Sequence, residues 1–485
     1  MRKIFKTGGL IFNILIFIEG FLLFPAVGKA QENNCIQPWP ENPRYWQYKG
    51  EPVFLIGGTD DDNLFQWHAD ALREQLDLLV SVGGNYVRNT MSDRPVEPET
   101  ESHLIDKLET AYAFKKLDNG KYDLTQWNEE YFRRLRRFLD ETAARDIIVQ
   151  IELWDGHDFL DTNERVRWKA HPFNPVNNIN YTAEETTLPE EWQISYRERI
   201  HPIHLTVPGL NDDSVVCRFL RAYIGKVLSV TLDYDHVLYT VQNESWSPHY
   251  WSKYWAEFIH EQAEVRGKKV YVADMRFTPS VEPVFDGRFF NYADISQSAG
   301  ENRRGEAHYK AISRNWKALS DAPCPLNSVK QYGGKTSWTM GAEAGMQRVC
   351  RSVFCGQAAV RFHRPPSGIG LMEQAQAILT SLRKLTDLTD IVRCHPHQEV
   401  AELLYNRDED EAYLLADPGR VYTVFFPGEG QVDLDVSAVE GMVNVRWLEI
   451  GTARWHEPLL LEAAKISLRP PAPGLWAALI VPADR

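Results

Sequence analysis

Asn243 and Glu244 stand side by side at the end of the apolar run Val237-Leu238-Tyr239-Thr240-Val241-Gln242, with Trp246 two residues further on. A carboxyl group that can give and take a proton, an amide that can bind a hydroxyl and an indole on which a sugar face can stack form a set suited to acid–base work on carbohydrate. The same pattern, a polar residue closing an apolar run, recurs along the chain at Asp60, at Arg88 and Asn89, at Trp154 and Asp155, at Asp274, at Asp294, at Lys330, and at Arg361 and His363. Glycosidic bonds are cut by two carboxyl groups, one acting as acid and the other as nucleophile or base. Glu244 is the expected acid/base. Asn243, Asp60, Arg88, Asn89, Trp154, Asp155, Trp246, Asp274, Lys330, Arg361 and His363 are the expected substrate ligands.

Four of these have plainer readings. Arg88 and Arg361 could be buried partners of carboxylates inside the fold rather than ligands. His363 has no second histidine at metal-ligand spacing, and the six cysteines form no CxxC pair, so neither a metal nor a cofactor is expected. In Asp60-Asp61-Asp62, Asp60 is favoured because it lies nearest the run before it, while an acidic loop can also simply cap the next helix.

Positioning so many strand-end groups in one place needs a particular frame. Buried runs begin at Val53, Asn85, Ile147, Val237, Val270, Phe289, Leu326 and Ala358, separated by helical periodicity or long excursions. Eight such runs predict a (β/α)8 barrel, in which chemistry sits at the carboxyl ends of the strands. No strand is followed by the GxGxxG spacing of a doubly wound nucleotide-binding sheet. The stretch from Gly156 to Asp213, irregular and rich in Pro, Asn and Trp, is expected to be a functional lid. After the helix expected over Met372–Val392 the texture changes to short alternating runs between Gly- and Pro-containing turns, which predicts an all-β sandwich. The expected units are a leader over 1–30, a barrel over 31–395 and a sandwich over 396–485.

The leader carries Arg2, Lys3 and Lys6 before an apolar run from Leu10 to Val27, then small residues, with cleavage expected after Ala30. Export follows, with no membrane span remaining. Four positive residues (Arg2, Lys3, Lys6, Lys29) against Glu19 give the leader +3, so its loss takes the formal charge from −14 to −17. Such an acidic chain argues against nucleic acid as a partner and leaves carbohydrate as the expected one. Oligomeric state and disulfide pairing are not legible; Cys350 and Cys355, five apart in an expected helix, do not share a face and no bridge between them is expected.

Some of these residues carry a resemblance. Asn243-Glu244 at the end of a fourth strand resembles the Asn-Glu pair of clan-A glycoside hydrolases, which implies that Glu244 is the general acid/base and Asn243 the ligand of the sugar hydroxyl beside the broken bond. Arg44-Tyr45-Trp46 through Phe54-Leu55-Ile56-Gly57-Gly58-Thr59 is similar to the opening of apiosidase-like barrels. Ala412-Tyr413-Leu414-Leu415-Ala416 and Tyr422-Thr423-Val424-Phe425-Phe426-Pro427-Gly428 resemble the collagen-binding-type domain that often follows them. The clan places a nucleophilic Glu at the end of strand seven, whereas the stretch Pro325-Leu326-Asn327-Ser328-Val329-Lys330-Gln331-Tyr332 brings Lys330 to about that place. The second carboxyl group is therefore sought elsewhere, first at Glu343 and then at Asp294, with Asp155 and Asp274 on adjacent strands. A barrel that binds carbohydrate without cutting it and an extracellular adhesion protein are the alternatives.

Overall fold

Runs such as Ile148–Asp155, every residue of which is buried, can be satisfied only inside a sheet covered on both sides. In the computed structural model eight such strands form one parallel sheet: β1 (Leu55–Thr59), β2 (Tyr86–Thr90), β3 (Ile148–Asp155), β4 (Val237–Asn243), β5 (Val272–Met275), β6 (Ala293–Asp294), β7 (Leu326–Tyr332) and β8 (Ala359–His363). Residues 34–59, 62–92, 106, 109–161, 166–193, 200–277, 287–298, 303–333, 341–363, 371–396 and 403–483 are described. The expected leader and Asp60 lie outside the described residues. Hydrogen-bonded neighbours follow the cyclic order β5-β4-β3-β2-β1-β8-β7-β6, so the sheet curls until β5 faces β6. Asn291 bridges that seam: its amide N–H donates to the Val272 carbonyl at 3.0 Å, and its Oδ1 accepts from the Val272 N–H at 2.7 Å. The barrel expected from the eight runs is thus the observed fold.

Helices α1 (Ala69–Ser81), α2 (Glu129–Ala143), α3 (Ser214–Thr231), α4 (His249–Val265), α5 (Gly305–Ala318), α6 (Gly341–Phe354) and α7 (Glu373–Leu388) pack outside the sheet. α2 shows why these segments are helical. The side chain of Asn128 caps it by accepting from the Glu130 N–H at 3.2 Å, Glu129 and Glu130 face the positive end of its dipole, and Tyr131, Leu135, Phe138, Leu139 and Thr142 form the buried stripe.

The barrel is filled in layers, as barrels of this size must be. At its amino-terminal end an antiparallel sheet of Gln37–Trp39, Asn42–Tyr48 and Glu51–Val53 inserts Trp46, whose indole donates to Asn327 Oδ1 at 3.0 Å. Tyr86, Gln150, Asn327 and Asp294 complete that bottom layer, with Tyr86 Oη donating to Gln150 Oε1 at 2.5 Å. In the described residues of the Gly156–Asp213 stretch, expected as a lid, aromatic side chains pack into a buried cluster. Trp168, His171, His201 and His204 are buried in it around Phe159.

The tail forms a sheet in the order β9-β11-β12-β18-β14-β15, where these are His395–Pro396, Tyr413–Asp417, Val421–Phe426, Trp476–Pro482, Met442–Glu449 and Arg454–Trp455; Leu459–Glu462 (β16) also pairs with β14. A second sheet joins β10 (Leu404–Tyr405), β13 (Val432–Asp435) and β17 (Lys465–Leu468). Alternation along β12 explains how the tail can have two interiors. Tyr422, Val424 and Phe426 face the core between the sheets, while Val421 and Phe425 belong to the core shared with the barrel. Phe354 of α6 meets Phe425 at 5.6 Å, and Arg351 makes two 2.8 Å hydrogen bonds to Asp410. Among the described residues the six cysteines are all unbridged, and no helix is long and apolar enough to cross a membrane.

Candidate active site

The carboxyl ends of β3, β4, β6 and β7 converge on Glu244. Asn243 is the last residue of β4, and Glu244 turns out of the strand with φ 44°, in the left-handed region that a residue with a Cβ enters only under local constraint. Two contacts hold this turn. The Glu244 N–H donates to the Met275 carbonyl at 3.0 Å, and Gly156 packs so closely that an added Cβ would lie 2.3 Å from the Glu244 carbonyl oxygen. Only glycine at 156 lets the end of β3 pass there.

The Glu244 carboxylate is 15% exposed and both of its oxygens are occupied. Oε1 accepts from Gln297 Nε2 at 2.9 Å and is ion-paired with Lys330 Nζ. Oε2 accepts from His157 Nε2 at 2.6 Å, so that ring nitrogen carries the hydrogen. Lys330 Nζ also donates to Asn243 Oδ1 at 2.8 Å, and Asn243 Nδ2 donates to Asp155 Oδ1 at 3.1 Å, which fixes the orientation of the amide. Asp155 Oδ1 further accepts from the His157 N–H at 3.0 Å, placing the imidazole. Burial pushes the Glu244 carboxyl up, but the lysine charge and the hydrogen bonds from His157 and Lys330 outweigh it and hold the group well below the usual carboxylate range.

A second charged layer lies beneath. Arg88 is fully buried and pairs with Glu152 at 3.0 Å and Asp62 at 3.5 Å. Arg361, also fully buried, lies 3.4 Å from Asp62, donates to the Thr59 hydroxyl and carbonyl and the Val329 carbonyl, and donates to His363 Nδ1 at 2.6 Å. Burial pushes the Glu152 carboxyl up to about 7, against the pull of Arg88 and Lys330. Arg88 and Arg361 are therefore the interior partners of carboxylates that the plainer reading allowed, and His363, 3.4 Å from Asp62, joins them there.

Several expected ligands stand elsewhere. Trp154, expected at the substrate, is buried on the outer side of β3 among Tyr223, Trp251 and Trp255. This breaks the alternation of β3: Gln150 and Glu152, which share the parity of Trp154, face the interior, so the period slips between Glu152 and Trp154 and brings Asp155 inward onto Asn243. Asn89 is buried and supports backbone, accepting from the Phe65 N–H at 3.0 Å and donating to the Thr90 carbonyl at 3.0 Å. Asp294 pairs in register with Asn327, low in the barrel; its Oδ2 accepts from Gln150 at 2.8 Å and its Oδ1 from the Ser296 N–H at 2.9 Å. Asp274 Oδ1 accepts from Gln242 at 2.9 Å, Arg276 lies 3.2 Å from Oδ2, and burial raises its carboxyl. Glu343 is exposed in the first turn of α6, the helix that follows β7. Trp246 is 37% exposed beside Glu244 and stacks on Phe277 with centroids 4.6 Å apart. Nothing in the sequence pattern marked His157; the signal was its place two residues past the end of β3, straight after the Gly156 that the close approach requires. Among the described residues no cluster of histidine, cysteine and carboxylate side chains is arranged to hold a metal ion.

Comparison with other proteins accords with this geometry at the level of fold. A family model described as a domain of unknown function, DUF6298, matches residues 108–281, which include β3, β4 and Glu244. No curated protein matches the chain. Among solved structures, a glycoside hydrolase family 5 protein from Bacteroides vulgatus superposes with a TM-score of 0.63 at 12% identity, covering 94% of this chain and 95% of that one. A second structure, described as a glycoside hydrolase, gives a TM-score of 0.63 at 10% identity over 94% of this chain and 98% of that one. Both cover nearly the whole of this chain, so the chain shares with these proteins a fold that takes in barrel and tail together.

Proposed function

We propose that this protein is a glycoside hydrolase that cuts an oligo- or polysaccharide at the barrel mouth, with Glu244 as its general acid/base. One observation carries the reading: a nearly buried carboxylate, set in a constrained backbone turn at the end of the fourth strand, receives hydrogen bonds from residues on three other strand ends. A fold gains little stability from burying a charge in this way, so such an arrangement is better explained by use than by architecture. Asn243, held by Lys330 and Asp155, presents its amide to a sugar hydroxyl, and Trp246 on Phe277 offers a stacking face beside it. Glu343, exposed on the helix that starts from the mouth side of β7, is the proposed second carboxyl group. A secreted protein that meets its polysaccharide outside the cell fits the basic and apolar amino-terminal run.

Incubating the purified chain with a panel of plant and microbial polysaccharides, and measuring released reducing ends, tests this directly. Release by the wild type that is lost in Glu244→Gln supports the assignment. Release at an equal rate by both proteins contradicts it. A second reading has its own support: Lys330 pairs with Glu244 close to where clan-A enzymes carry their nucleophile, as a barrel that binds carbohydrate without cutting it would allow. Binding by the wild type on a carbohydrate array, with no reducing ends released from the bound glycan, would favour it.

A further inference from the structure

Lys330 creates a difficulty for an acid at Glu244. A group that must protonate a leaving oxygen has to hold a proton at the moment of cleavage, yet Lys330 and Gln297 occupy Oε1 and the lysine charge favours the ionised form. Oε1 is therefore the wrong oxygen on which to carry the proton. Oε2 is different: its partner is an imidazole, a group whose ordinary pKa lies near 6.5 and which can pass a proton from one ring nitrogen to the other.

Resting on the hydrolase reading above, we propose that His157 is the proton relay of Glu244, a positioning residue that loads the carboxylate from solvent through Nε2. Its side chain is 32% exposed against 15% for Glu244 and 1% for Lys330, so of the three it is the one open to water. The ring is held in the required pose from both sides, by the Asp155 carboxylate accepting its backbone N–H and by the 2.6 Å contact of Nε2 with Oε2. The step balances. Nδ1 takes a proton from solvent, the Nε2 proton passes to Oε2, and the resulting carboxylic acid gives it to the glycosidic oxygen as that oxygen leaves with the electron pair of the broken C–O bond, while the anomeric carbon bonds to the oxygen of a water molecule that gives up its proton to the second carboxylate. Glu244 returns to carboxylate, and the ring regains its starting tautomer by losing the Nδ1 proton to solvent and taking one up on Nε2. The charged groups around the pair are Lys330 from β7, Asp155 and Asp158 from the end of β3, and Arg88 in the layer beneath.

The relay is tested with His157→Gln, whose amide can still donate to Oε2 but cannot transfer a proton. Two probes separate acid catalysis from the rest: the phenyl and 2,4-dinitrophenyl glycosides of the sugar that the wild type releases, the second of which leaves without protonation. The expected result is a kcat about 10²-fold lower on the first probe, with a changed pH profile, and a nearly unchanged kcat on the second. Equal rates and equal pH profiles for wild type and variant on the first probe would overturn the proposal. A readout free of turnover is the ¹⁵N chemical shift of His157 Nε2 at one fixed pH in the wild type and in Glu244→Gln. The Nε2 signal is expected to move in the variant, which has lost the carboxylate that accepts from it. Identical signals overturn the pairing whatever the activity. Failure of the wild type to cut any polysaccharide, with the difference in the Nε2 signal intact, counts against the hydrolase reading and leaves the hydrogen-bonded pair in place.

Discussion

The barrel contains two charged layers one above the other, built from the same residue types and put to different ends. In the lower one, Arg88, Glu152, Asp62, Arg361 and His363 are sealed, with side-chain exposures of 3% or less. In the upper one, Glu244 and His157 are open to the mouth while Lys330 anchors them from within. Sealed charges cost desolvation and are kept because removing one partner strands the other. Charges at an open rim can exchange protons and meet a ligand. The difference between the layers is access rather than composition, and it separates residues that hold the barrel from residues that can act.

The comparison predicts opposite failures on either side of it. Glu244→Gln should lower hydrolysis about 10²- to 10⁴-fold while leaving thermal unfolding close to that of the wild type. In the lower layer the pattern should invert, with Arg88→Ala costing about 3–5 kcal/mol of stability in a denaturant titration, because fully buried Glu152 loses its cation and Asp62 is left with Arg361 alone. If the two variants exchanged phenotypes, the division between layers would fail.

Acidity sharpens the same contrast. The folded-state pKa of Glu152 is raised to about 7, so its contribution is fully present below its unfolded value near 4.5 and is lost as pH rises through 7, by about 3 kcal/mol in all. His171 and His204, buried in the cluster around Phe159 and held down to about 3, act in the other direction: their contribution is present above 6.5 and is lost as pH falls toward 3. Glu152→Gln should therefore abolish the decline of stability between pH 4.5 and 7 while keeping the acid-side decline, as followed by chemical unfolding at a series of pH values. A variant that kept the wild-type slope in that window would show Glu152 to be ionised throughout. The smallest effect belongs to Trp246→Ala at the rim, which should weaken oligosaccharide binding by about 0.5–1.5 kcal/mol in calorimetry and leave stability unchanged.

What could be read from the chain alone followed from period and placement. Eight buried runs in order are enough to define the barrel, and the polar pair after Val241-Gln242 marks the centre of its mouth because an apolar strand has no other reason to end so. The two faces of β12 were legible as alternation, although that its second face serves the barrel was not. Errors arose where depth mattered. Asp294 reads as a strand end, but β6 is only two residues long, so its end lies low in the barrel beside Gln150. Trp154 and Asp155 both close β3, and period two counted from the interior Gln150 and Glu152 would turn Trp154 inward, whereas the strand slips at its end and turns Asp155 inward instead. Lys330 was visible as a departure from an expected carboxylate. That it reaches across the mouth from β7 to Glu244 on β4, with His157 opposite, depends on the closing of the barrel, which no local pattern encodes.

The central claim is that carbohydrate is cut against Glu244, and a crystal structure of Glu244→Gln soaked with an oligosaccharide of the polysaccharide that the wild type degrades would test it most directly. The account predicts a glycosidic oxygen within about 3 Å of the residue 244 amide, a sugar hydroxyl on Asn243 and a ring against Trp246. An oligosaccharide bound only on the tail sheets, with the mouth empty at saturating concentration, would contradict it.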